Sequence, residues 1–357
     1  MKPPVNTPFY SQIIDLLQSA RNNVVRVVNQ TMVLTYFKIG ERIVEEEQNG
    51  KNRAEYGKSL LIGLSNVLTK EFGRGYSVDN LENMRRLYLT YSKSEMMSRI
   101  SLENNSETVS RNSESELSQS VSLTFNLSWS HYLILIRIKK EEERRFYEIE
   151  TEKNNWSVRE LDRQINTSLF ERLSLSKDKK NLQKLAERGQ QIEKAIDIIK
   201  DPYILEFLNL SESNYFSESD LEQELINKLE HFLLELGKGF TFVGRQIRFT
   251  FDEEHFRVDL VFYNRILKCF VLIDLKIGKL KHQDLGQMQM YVNYYDRYVK
   301  LEEENKTIGI ILCKDKKDTM VEITLPENND QIFASKYELI IPSKKDLLQL
   351  IDNKTDS

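Results

Sequence analysis

The chain has 357 residues, a formal net charge of −4 and 40% hydrophobic residues, which allows two ordinary domains of a soluble globular protein. The slightly acidic total excludes a uniformly basic nucleic-acid coat protein but permits a local basic patch. Residues 1–10 lack the apolar core of a signal peptide, and no apolar run approaches the ~18 residues of a membrane span. We therefore expect a cytoplasmic protein without a membrane partner.

The first part of the chain is predicted to be helical. Apolar residues recur at steps of three and four over residues 11–48, with an interruption at Gly40, and again over 58–72. A turn, Gly73-Arg74-Gly75, then precedes Ser77, a good N-cap for a third helix.

Helix, short glycine turn and helix form the outline of a helix-turn-helix unit. The second helix carries Asn80, Asn83, Arg85 and Arg86, and we take the two arginines as candidate nucleic-acid contacts. The alternative is that they are solvated arginines on an ordinary helix surface.

A change in composition divides the helical part. Residues 93–126 are rich in Ser, Asn and Glu and predict a flexible insertion. Helical spacing resumes at Leu127, and Ser157 with Glu160 predicts a capping box. These patterns predict an all-α N-terminal domain over residues 1–175 and a helical connector over 176–200.

Residues 201–357 have an α/β pattern. Helices are predicted over 220–236, 282–298 and 344–351, strands over 240–243, 245–251, 256–263, 268–276 and 307–313, and shorter strands over 321–325 and 337–340. Cys269 and Cys313 lie in two of these apolar runs without a CxxC or CxxH partner, as is typical of buried reduced thiols. The order of elements predicts one mixed sheet flanked by helices.

Three charged residues stand out against this apolar frame. Asp259 lies in one strand pattern, and Asp274 and Lys276 lie two residues apart on one face of the next. Buried charges cost several kcal/mol unless they are paired or bind a metal ion. Carboxylates that hold Mg²⁺ or Mn²⁺ beside a phosphate, with a lysine that balances the charge of the transition state, would explain them. An internal Asp–Lys ion pair, or an edge strand with charges in solvent, explains the spacing equally well.

The metal-site hypothesis constrains the turn between the two strands. A two-residue turn at Asn264-Arg265 would leave Asp259 four residues short of Asp274, too far apart at ~3.4 Å per residue to share one ion. The hypothesis therefore predicts a longer loop, a bulge or splayed strands around residues 265–268.

A basic stretch lies next to these acids. Residues 265–281 hold five Lys or Arg residues and one acid, Asp274. Lys279 and Lys281, together with Arg245 from a neighbouring strand pattern, are candidate contacts to a phosphate backbone. A lysine-rich loop that serves only solubility is the alternative.

Polar residues on two helices are further candidates. Gln287 and Tyr291 are four residues apart and share a helix face, which lies towards either the sheet or the solvent. Glu222 could reach the metal from the helix that opens the α/β part, although Ser219, three residues earlier, makes it a capping-box partner as well. Glu224 lies elsewhere on that helix and is less favoured.

These motifs resemble known nucleases. Glu222, Asp259 and Asp274-Leu275-Lys276 resemble the PD-(D/E)XK nuclease superfamily, and Gln287-x-x-x-Tyr291 resembles the motif of its RecB-like branch. More closely, LLELGKGFTFVGRQ, VDLVFYNRILKCFVLIDLKIGK and IGIILCK resemble the bacterial YhcG-like family, as do AEYGKSLLIGLS, LTKEFGRGYSVDNLENMRRLY, LSWSHY and WSVRELDRQI near the N-terminus. The resemblance covers nearly the whole chain except the Ser/Asn-rich insertion. At position 274 this chain has Asp where Glu is usual, and the superfamily accepts either.

The resemblance implies an all-α N-terminal domain followed by a restriction-endonuclease-like mixed-sheet α/β/α domain. It also implies Glu222, Asp259 and Asp274 as metal ligands, Lys276 as the catalytic lysine, and association with defence loci. We expect a Mg²⁺- or Mn²⁺-dependent endonuclease acting on DNA, whose N-terminal domain binds nucleic acid or a protein. Alternatives are a non-catalytic nucleic-acid-binding adaptor and an RNA-processing nuclease. A homodimer would supply the two sites that cutting two strands requires.

Overall fold

A computed structural model describes residues 7–49, 53–104, 124–175, 179–210, 216–251 and 253–341. The chain divides into two compact units. One comprises residues 1–144 and 151–158, and the other comprises 145–150 and 159–357. No helix in the described ranges is long and apolar enough to cross a membrane.

The first unit is helical. Its helices are α1 (Thr7–Asn49), α2 (Arg53–Phe72), α3 (Val78–Asn104), α4 (Trp129–Leu135) and most of α5 (Glu141–Asn154). One of its hydrophobic clusters joins Ile43, Leu61, Leu81 and Met84 from α1, α2 and α3.

Helix α1 is continuous through Gly40, where the sequence predicted an interruption. A Cβ atom at Gly40 would lie 2.1 Å from the carbonyl oxygen of Met84 on α3. The glycine is therefore required because the two backbones approach each other closely, and it does not break the helix.

Ser77 caps α3 as predicted, since its Oγ accepts a hydrogen bond from the backbone N–H of Asn80 (3.3 Å). The helix continues to Asn104, so the first third of the predicted flexible insertion is helical. The composition of that segment is polar but contains few helix breakers. Most of the remaining insertion, residues 105–123, lies outside the described residues.

The second unit contains a six-stranded mixed sheet and its flanking helices. The helices are α6 (Val158–Asn166), α7 (Leu169–Leu175), α8 (Lys179–Arg188), α9 (Glu218–Asn227), α10 (Leu229–Leu236), α11 (His282–Tyr298) and α12 (Asp318–Thr324), with 3₁₀ turns at Ala195–Ile198 and Glu206–Leu208. The strands are β1 (Tyr203–Ile204), β2 (Phe240–Phe251), β3 (Glu254–Asn264), β4 (Cys269–Lys279), β5 (Ile308–Asp315) and β6 (Ile332–Glu338).

The strand order is β1-β6-β5-β4-β3-β2, and the predicted fold class is confirmed. The pairs β2–β3 and β3–β4 are antiparallel, whereas β4–β5, β5–β6 and β1–β6 are parallel. On β4, Val271, Ile273 and Leu275 pack on the side of α9 and α10, while Leu272 packs on the side of α11. The two faces of β4 therefore alternate as predicted.

Several predicted elements differ from the structure. Residues 321–325 were predicted to form a strand but lie largely in α12, because a short apolar run does not distinguish the two states. The two runs over 240–251 form the single strand β2, with a register shift between Phe242 and Gly244. The predicted closing helix over 344–351 lies outside the described residues.

The helix predicted over 220–236 is two helices that meet at Lys228. Ser217, not Ser219, is the N-cap of α9, and its capping-box partner is Asp220, not Glu222. The predicted capping role of Glu222 is therefore wrong, and its carboxylate is available elsewhere.

One buried and one partly exposed ion pair hold α7 and α6 in the second unit. Arg172 of α7 pairs with Glu235 of α10 at 2.6 Å, and both side chains are fully buried. Arg163 of α6 pairs with Glu206 at 2.8 Å. The division into domains at 175 and 201 stays a prediction, whereas the compact units divide at 158.

Candidate active site

The turn between β3 and β4 brings the two predicted acids together. Asn264 pairs with Cys269 and Leu260 with Ile273, so four residues form the turn, and Asp259 and Asp274 are the residues directly beyond the last pair of the ladder. Lys268 at the end of this turn has a left-handed φ of 50°. The prediction of a longer loop around residues 265–268 is confirmed.

Asp259 is held in place by hydrogen bonds to both oxygens. Its Oδ2 accepts from the backbone N–H of Leu275 on β4 (2.8 Å), and its Oδ1 accepts from the side-chain amide of Gln246 on β2 (3.1 Å). These bonds orient the carboxylate towards the same face as Asp274.

Asp274 is 3% exposed, and its Oδ2 lies 2.7 Å from Lys276 Nζ. Burial, followed by the charge of Asp259, raises the pKa of Asp274 to about 7 although Lys276 lowers it. Burial alone would lower the pKa of Lys276, yet the adjacent Asp274 holds it above its usual value. Two acids and one lysine thus lie close together, and Asp274 is the most buried of the three.

Glu222 of α9 is the third acid near this site. It is 8% exposed, and its carboxylate accepts a hydrogen bond from the same Gln246 amide that binds Asp259. Burial and the charge of Asp259 raise the pKa of Glu222, although the Gln246 hydrogen bond opposes this shift. Glu222 therefore belongs to the same constellation, with an amide between it and Asp259.

Gln246 is a site residue that the sequence analysis did not select. It lies on β2 opposite Asp259, between the pairs Arg245–Leu260 and Ile247–Val258. Its φ of 48° is in the left-handed region, which is uncommon for a residue other than glycine and costs roughly 1–3 kcal/mol. Asp259 and Asp274 are conspicuous as charges within apolar strand patterns, whereas a neutral glutamine in a strand is not. The sequence pattern alone therefore could not identify Gln246.

Glu218 is a second residue that the sequence analysis missed. Its carboxylate oxygens lie 3.9 Å from Lys276 Nζ and 3.4 Å from the backbone N–H of Ile277. Glu218 is in the first turn of α9, where acids are common for helix-capping reasons, so its type and position gave no separate signal.

Gln287 and Tyr291 lie on the inner side of α11. The Gln287 amide donates to the Tyr291 hydroxyl, and Tyr291 is 1% exposed. Burial and the charges of Asp274 and Asp259 raise the pKa of the phenol, although Gln287 opposes the shift. The pair therefore faces the sheet, within electrostatic reach of the two acids.

The chemistry of these donors suits a hard divalent cation. Carboxylate oxygens are the preferred ligands of Mg²⁺ and Mn²⁺, and a cation next to Asp274 would relieve the repulsion that raises its pKa. Among the described residues, however, no three His, Cys, Asp or Glu side chains already form a metal cluster. Asp259 and Asp274 fit such an ion directly, whereas the Gln246 amide separates Glu222 from them.

The predicted phosphate contacts occupy different surroundings. Lys279 at the end of β4 and Lys281 at the start of α11 are both exposed. Arg245 on β2 is exposed but donates to Gln223 on α9 (2.8 Å). Lys279 therefore ends the strand that carries Asp274 and Lys276, and Lys281 lies two residues beyond it.

In the first unit, the arginines of the predicted recognition helix are paired with acids. Arg85 contacts Glu47 on α1 at 2.7 Å and Glu82 at 3.4 Å, and Arg86 contacts Glu82 at 3.2 Å. Burial would lower the pKa of Arg85, yet Glu47 and Glu82 raise it. Helix-turn-helix recognition by α3 stays a prediction.

Comparisons with known proteins identify the family of the chain. Residues 196–351 match the model described as the YhcG PDDEXK nuclease domain, and residues 12–172 match the DUF1016 N-terminal domain. A curated protein of Escherichia coli (strain K12), named "Putative nuclease YhcG", is 41% identical over 341 residues, which cover 94% of this chain and 90% of that protein.

Two solved structures overlap only partly with the chain. A repair endonuclease from Pyrococcus abyssi is 16% identical with a TM-score of 0.25, over 36% of this chain and 50% of that one. An EndoMS–dsDNA complex is 16% identical with a TM-score of 0.26, over 38% and 51%. The chain spans about half the length of these proteins. The two family matches and the close relative establish that the chain belongs to the YhcG family, in which a DUF1016 N-terminal domain precedes a PDDEXK nuclease domain.

Proposed function

We propose that the chain is a divalent-metal-dependent endonuclease that cleaves DNA. The observation that carries the proposal is the position of Asp259 and Asp274 directly beyond the last pair of the β3–β4 ladder. There the Asp259 carboxylate accepts from the backbone N–H of Leu275, and Lys276 Nζ lies 2.7 Å from Asp274. PDDEXK nucleases in general use divalent metal ions. In this chain Asp259 and Asp274 would hold Mg²⁺ or Mn²⁺. Glu222 would act on the ion indirectly, since the Gln246 amide links its carboxylate to that of Asp259. When bound, the ion would stabilise the negative charge that develops on the phosphate.

Lys276 would act through its charge. Its pKa is raised by Asp274 despite burial, so the ammonium stays protonated at neutral pH and does not serve as a base. A fixed ammonium in a largely buried site is well suited to balance the charge of a phosphorane. Glu218, at 3.9 Å, would help to position it.

Tyr291 and Gln287 would position the reacting groups. Because the Gln287 amide donates to the phenolic oxygen, the Tyr291 hydroxyl keeps its own proton to donate. Its raised pKa keeps the phenol neutral. The exposed Lys279 and Lys281 would contact the phosphate backbone beside the site, with Arg245 contributing from β2.

A non-catalytic adaptor is a second candidate function. The Gln246 amide is bonded to both Glu222 and Asp259, which leaves Asp259 and Asp274 as the two carboxylates next to each other, and fewer carboxylate ligands mean weaker binding of a divalent ion. An adaptor should bind nucleic acid equally well with EDTA present. An RNA-processing nuclease would share the site and differ only in substrate.

Cleavage of matched DNA and RNA substrates, duplex, branched and single-stranded, tests the proposal. We expect Mg²⁺- or Mn²⁺-dependent cleavage of DNA that falls by roughly 100-fold or more in Asp274→Asn and in Lys276→Ala. The matched control is Lys306→Ala, since Lys306 is 65% exposed in the same unit. Cleavage that persists in both site variants would contradict the proposal. Binding without cleavage would favour the adaptor, and cleavage of RNA alone would favour the RNA-processing nuclease.

A further inference from the structure

The N-terminal half of α1 carries a wide apolar face that its own unit does not cover. Twelve large apolar side chains of this helix are between 37 and 66% exposed. They are Phe9, Tyr10, Ile13, Ile14, Leu16, Leu17, Val24, Val25, Val27, Val28, Met32 and Leu34. Soluble monomers rarely expose contiguous apolar patches larger than a few hundred Å².

This apolar face is not a continuation of the face that packs in the first unit. Val33, Phe37 and Val44 are buried, whereas Leu34 is 37% exposed. Extended towards the N-terminus at steps of three and four, the buried face reaches Gln30 and Arg26, which are polar. Gln30 donates to Asn126 within the same unit (2.7 Å). The apolar face therefore lies on a different side of the helix and needs another partner.

The spacing of the apolar face is that of a helix that packs against a helix. Alternating steps of three and four residues, starting at residue 10, pass through Tyr10, Ile13, Leu17, Ala20, Val24, Val27, Thr31 and Leu34. This is a heptad pattern, in which two positions of every seven form the seam between helices. About three heptads are present, with further apolar residues beside the seam.

We propose that this face of α1 is the interface through which two copies of the chain associate. The face carries almost no charge, because Asp15, Arg21 and Arg26 are the charged residues among positions 9–34. It therefore offers no charge pattern for a different, charged partner to complement. The scarcity of basic residues also distinguishes it from helices that lie on membrane surfaces.

The exposed area fits this use. Burial of one aliphatic side chain removes roughly 60–120 Å² of apolar surface, so twelve half-exposed side chains offer on the order of 600 Å². A stable interface takes about 800 Å² from each partner, including its polar rim. The insertion over 105–123 holds only Val109, Leu117, Val121 and Leu123 as large apolar residues, too few to cover the face.

Sedimentation equilibrium of the full-length protein, from nanomolar to high micromolar concentration, tests the interface. We expect a reversible dimer of the wild type whose dissociation constant rises roughly 100-fold or more in Leu17→Lys/Val24→Lys, because both lysines would be buried in the seam. The matched control is Gln12→Lys/Ser19→Lys, which adds the same charges at the same seven-residue spacing on the polar side and should leave the dimer intact.

A mixing experiment separates a lost interface from a damaged helix. Leu17→Glu/Val24→Glu should also be monomeric, and mixing it with the lysine variant should restore a dimer, whether the two helices run parallel or antiparallel. A wild type that stays monomeric would overturn the proposal. So would a dimer that survives both charge variants. A monomer that sediments with phosphatidylglycerol vesicles would assign the face to a membrane surface instead.

Discussion

Glu235 and Asp274 are two of the buried carboxylates of the second unit, and their surroundings differ in charge balance. Glu235 is fully buried, and burial alone would raise its pKa, yet Arg172, Lys200 and Arg163 lower it to about 2. Asp274 is nearly as buried, but its nearest neighbours are one acid, Asp259, and one lysine, and its pKa is raised to about 7.

The comparison separates a structural cluster from a functional one. Burial lowers the pKa of Lys200 to about 8, and although Glu235 opposes this shift, the neighbouring Arg172 and Arg163 add to it. Glu235 also accepts from Arg172 and from the backbone N–H of Ile204 (2.9 Å), so the cluster is closed to ligands. Around Asp274 negative charge is in excess. An incomplete charge balance of this kind is what a cation-binding site requires.

Removal of the Glu235 charge should produce the largest loss of stability. In Glu235→Gln, Arg172 and Lys200 would stay buried without their acid, at a cost of roughly 3–5 kcal/mol. The folded pKa of about 2 lies below the unfolded value of 4.5, so the advantage of the wild type is present above pH 4.5 and is lost as the pH falls towards 2. Urea denaturation followed by circular dichroism, at pH 7 and at low pH, measures the difference in unfolding free energy between the wild type and Glu235→Gln.

Glu206→Gln is the matched control for this prediction. Glu206 pairs with Arg163 in the same region, but its side chain is 20% exposed. Removal of the Glu206 charge should lower the free energy of unfolding by about 1 kcal/mol or less. Equal losses in the two variants would show that burial does not set the strength of the cluster.

Neutralisation of Asp274 should have the opposite sign. Because its folded pKa of about 7 lies above the unfolded value of 3.8, its favourable contribution is present below pH 3.8 and is lost as the pH rises through 7. In EDTA, Asp274→Asn should therefore be more stable than the wild type at pH 8, by up to about 4 kcal/mol. The difference should shrink as the pH falls towards 4.

Divalent metal should reduce this difference in stability by stabilising the wild type. Millimolar Mg²⁺ or Mn²⁺ should raise the melting temperature of the wild type at pH 8 but not that of Asp274→Asn, since only the wild type keeps both carboxylates. Asp330→Asn, whose side chain is 69% exposed, is the control and should change neither quantity. A destabilised Asp274→Asn in EDTA at pH 8 would mean that the pair with Lys276 outweighs burial.

Much of the site could be predicted because charged residues in an apolar strand are conspicuous. Asp259, Asp274 and Lys276 interrupt runs that otherwise form two hydrophobic cores. The need to bring the acids together predicted a longer loop, a bulge or splayed strands between them, and the structure has the longer loop. The sheet could be predicted for the same reason, since its strands have long apolar runs. The run over 321–325 failed because it is short and its residue types suit either state.

Long-range partners could not be predicted. Gly40 looked like a helix interruption, although its role depends on a carbonyl 44 residues away on α3, at Met84. Glu222 could be selected as a metal ligand from the sequence, but the capping box that it shared on paper with Ser219 is made by Ser217 and Asp220. Gln246 drew no attention, because its left-handed backbone and its two acid partners are properties of the fold.

Gln246 tests the difference between the two clusters at a single residue. Its neutral amide lies between the carboxylates of Glu222 and Asp259, whereas cations surround the carboxylate of Glu235. Gln246→Ala and Gln246→Gly both remove the amide, so both should lose metal-dependent cleavage to a similar extent. They differ in backbone freedom. At a φ of 48° glycine is unstrained, so Gln246→Gly should be more stable than Gln246→Ala by about 1 kcal/mol.

The same pair of substitutions at Gln289, an exposed residue inside α11, should show the reverse order, with alanine favoured by about 1 kcal/mol. Urea denaturation of the four variants measures both differences. If Gln246→Gly regains cleavage that Gln246→Ala lacks, the backbone conformation and not the amide is what the site requires. If alanine is the more stable residue at both positions, the left-handed conformation at Gln246 is not imposed by the sheet, and its link to the acids would have to be abandoned.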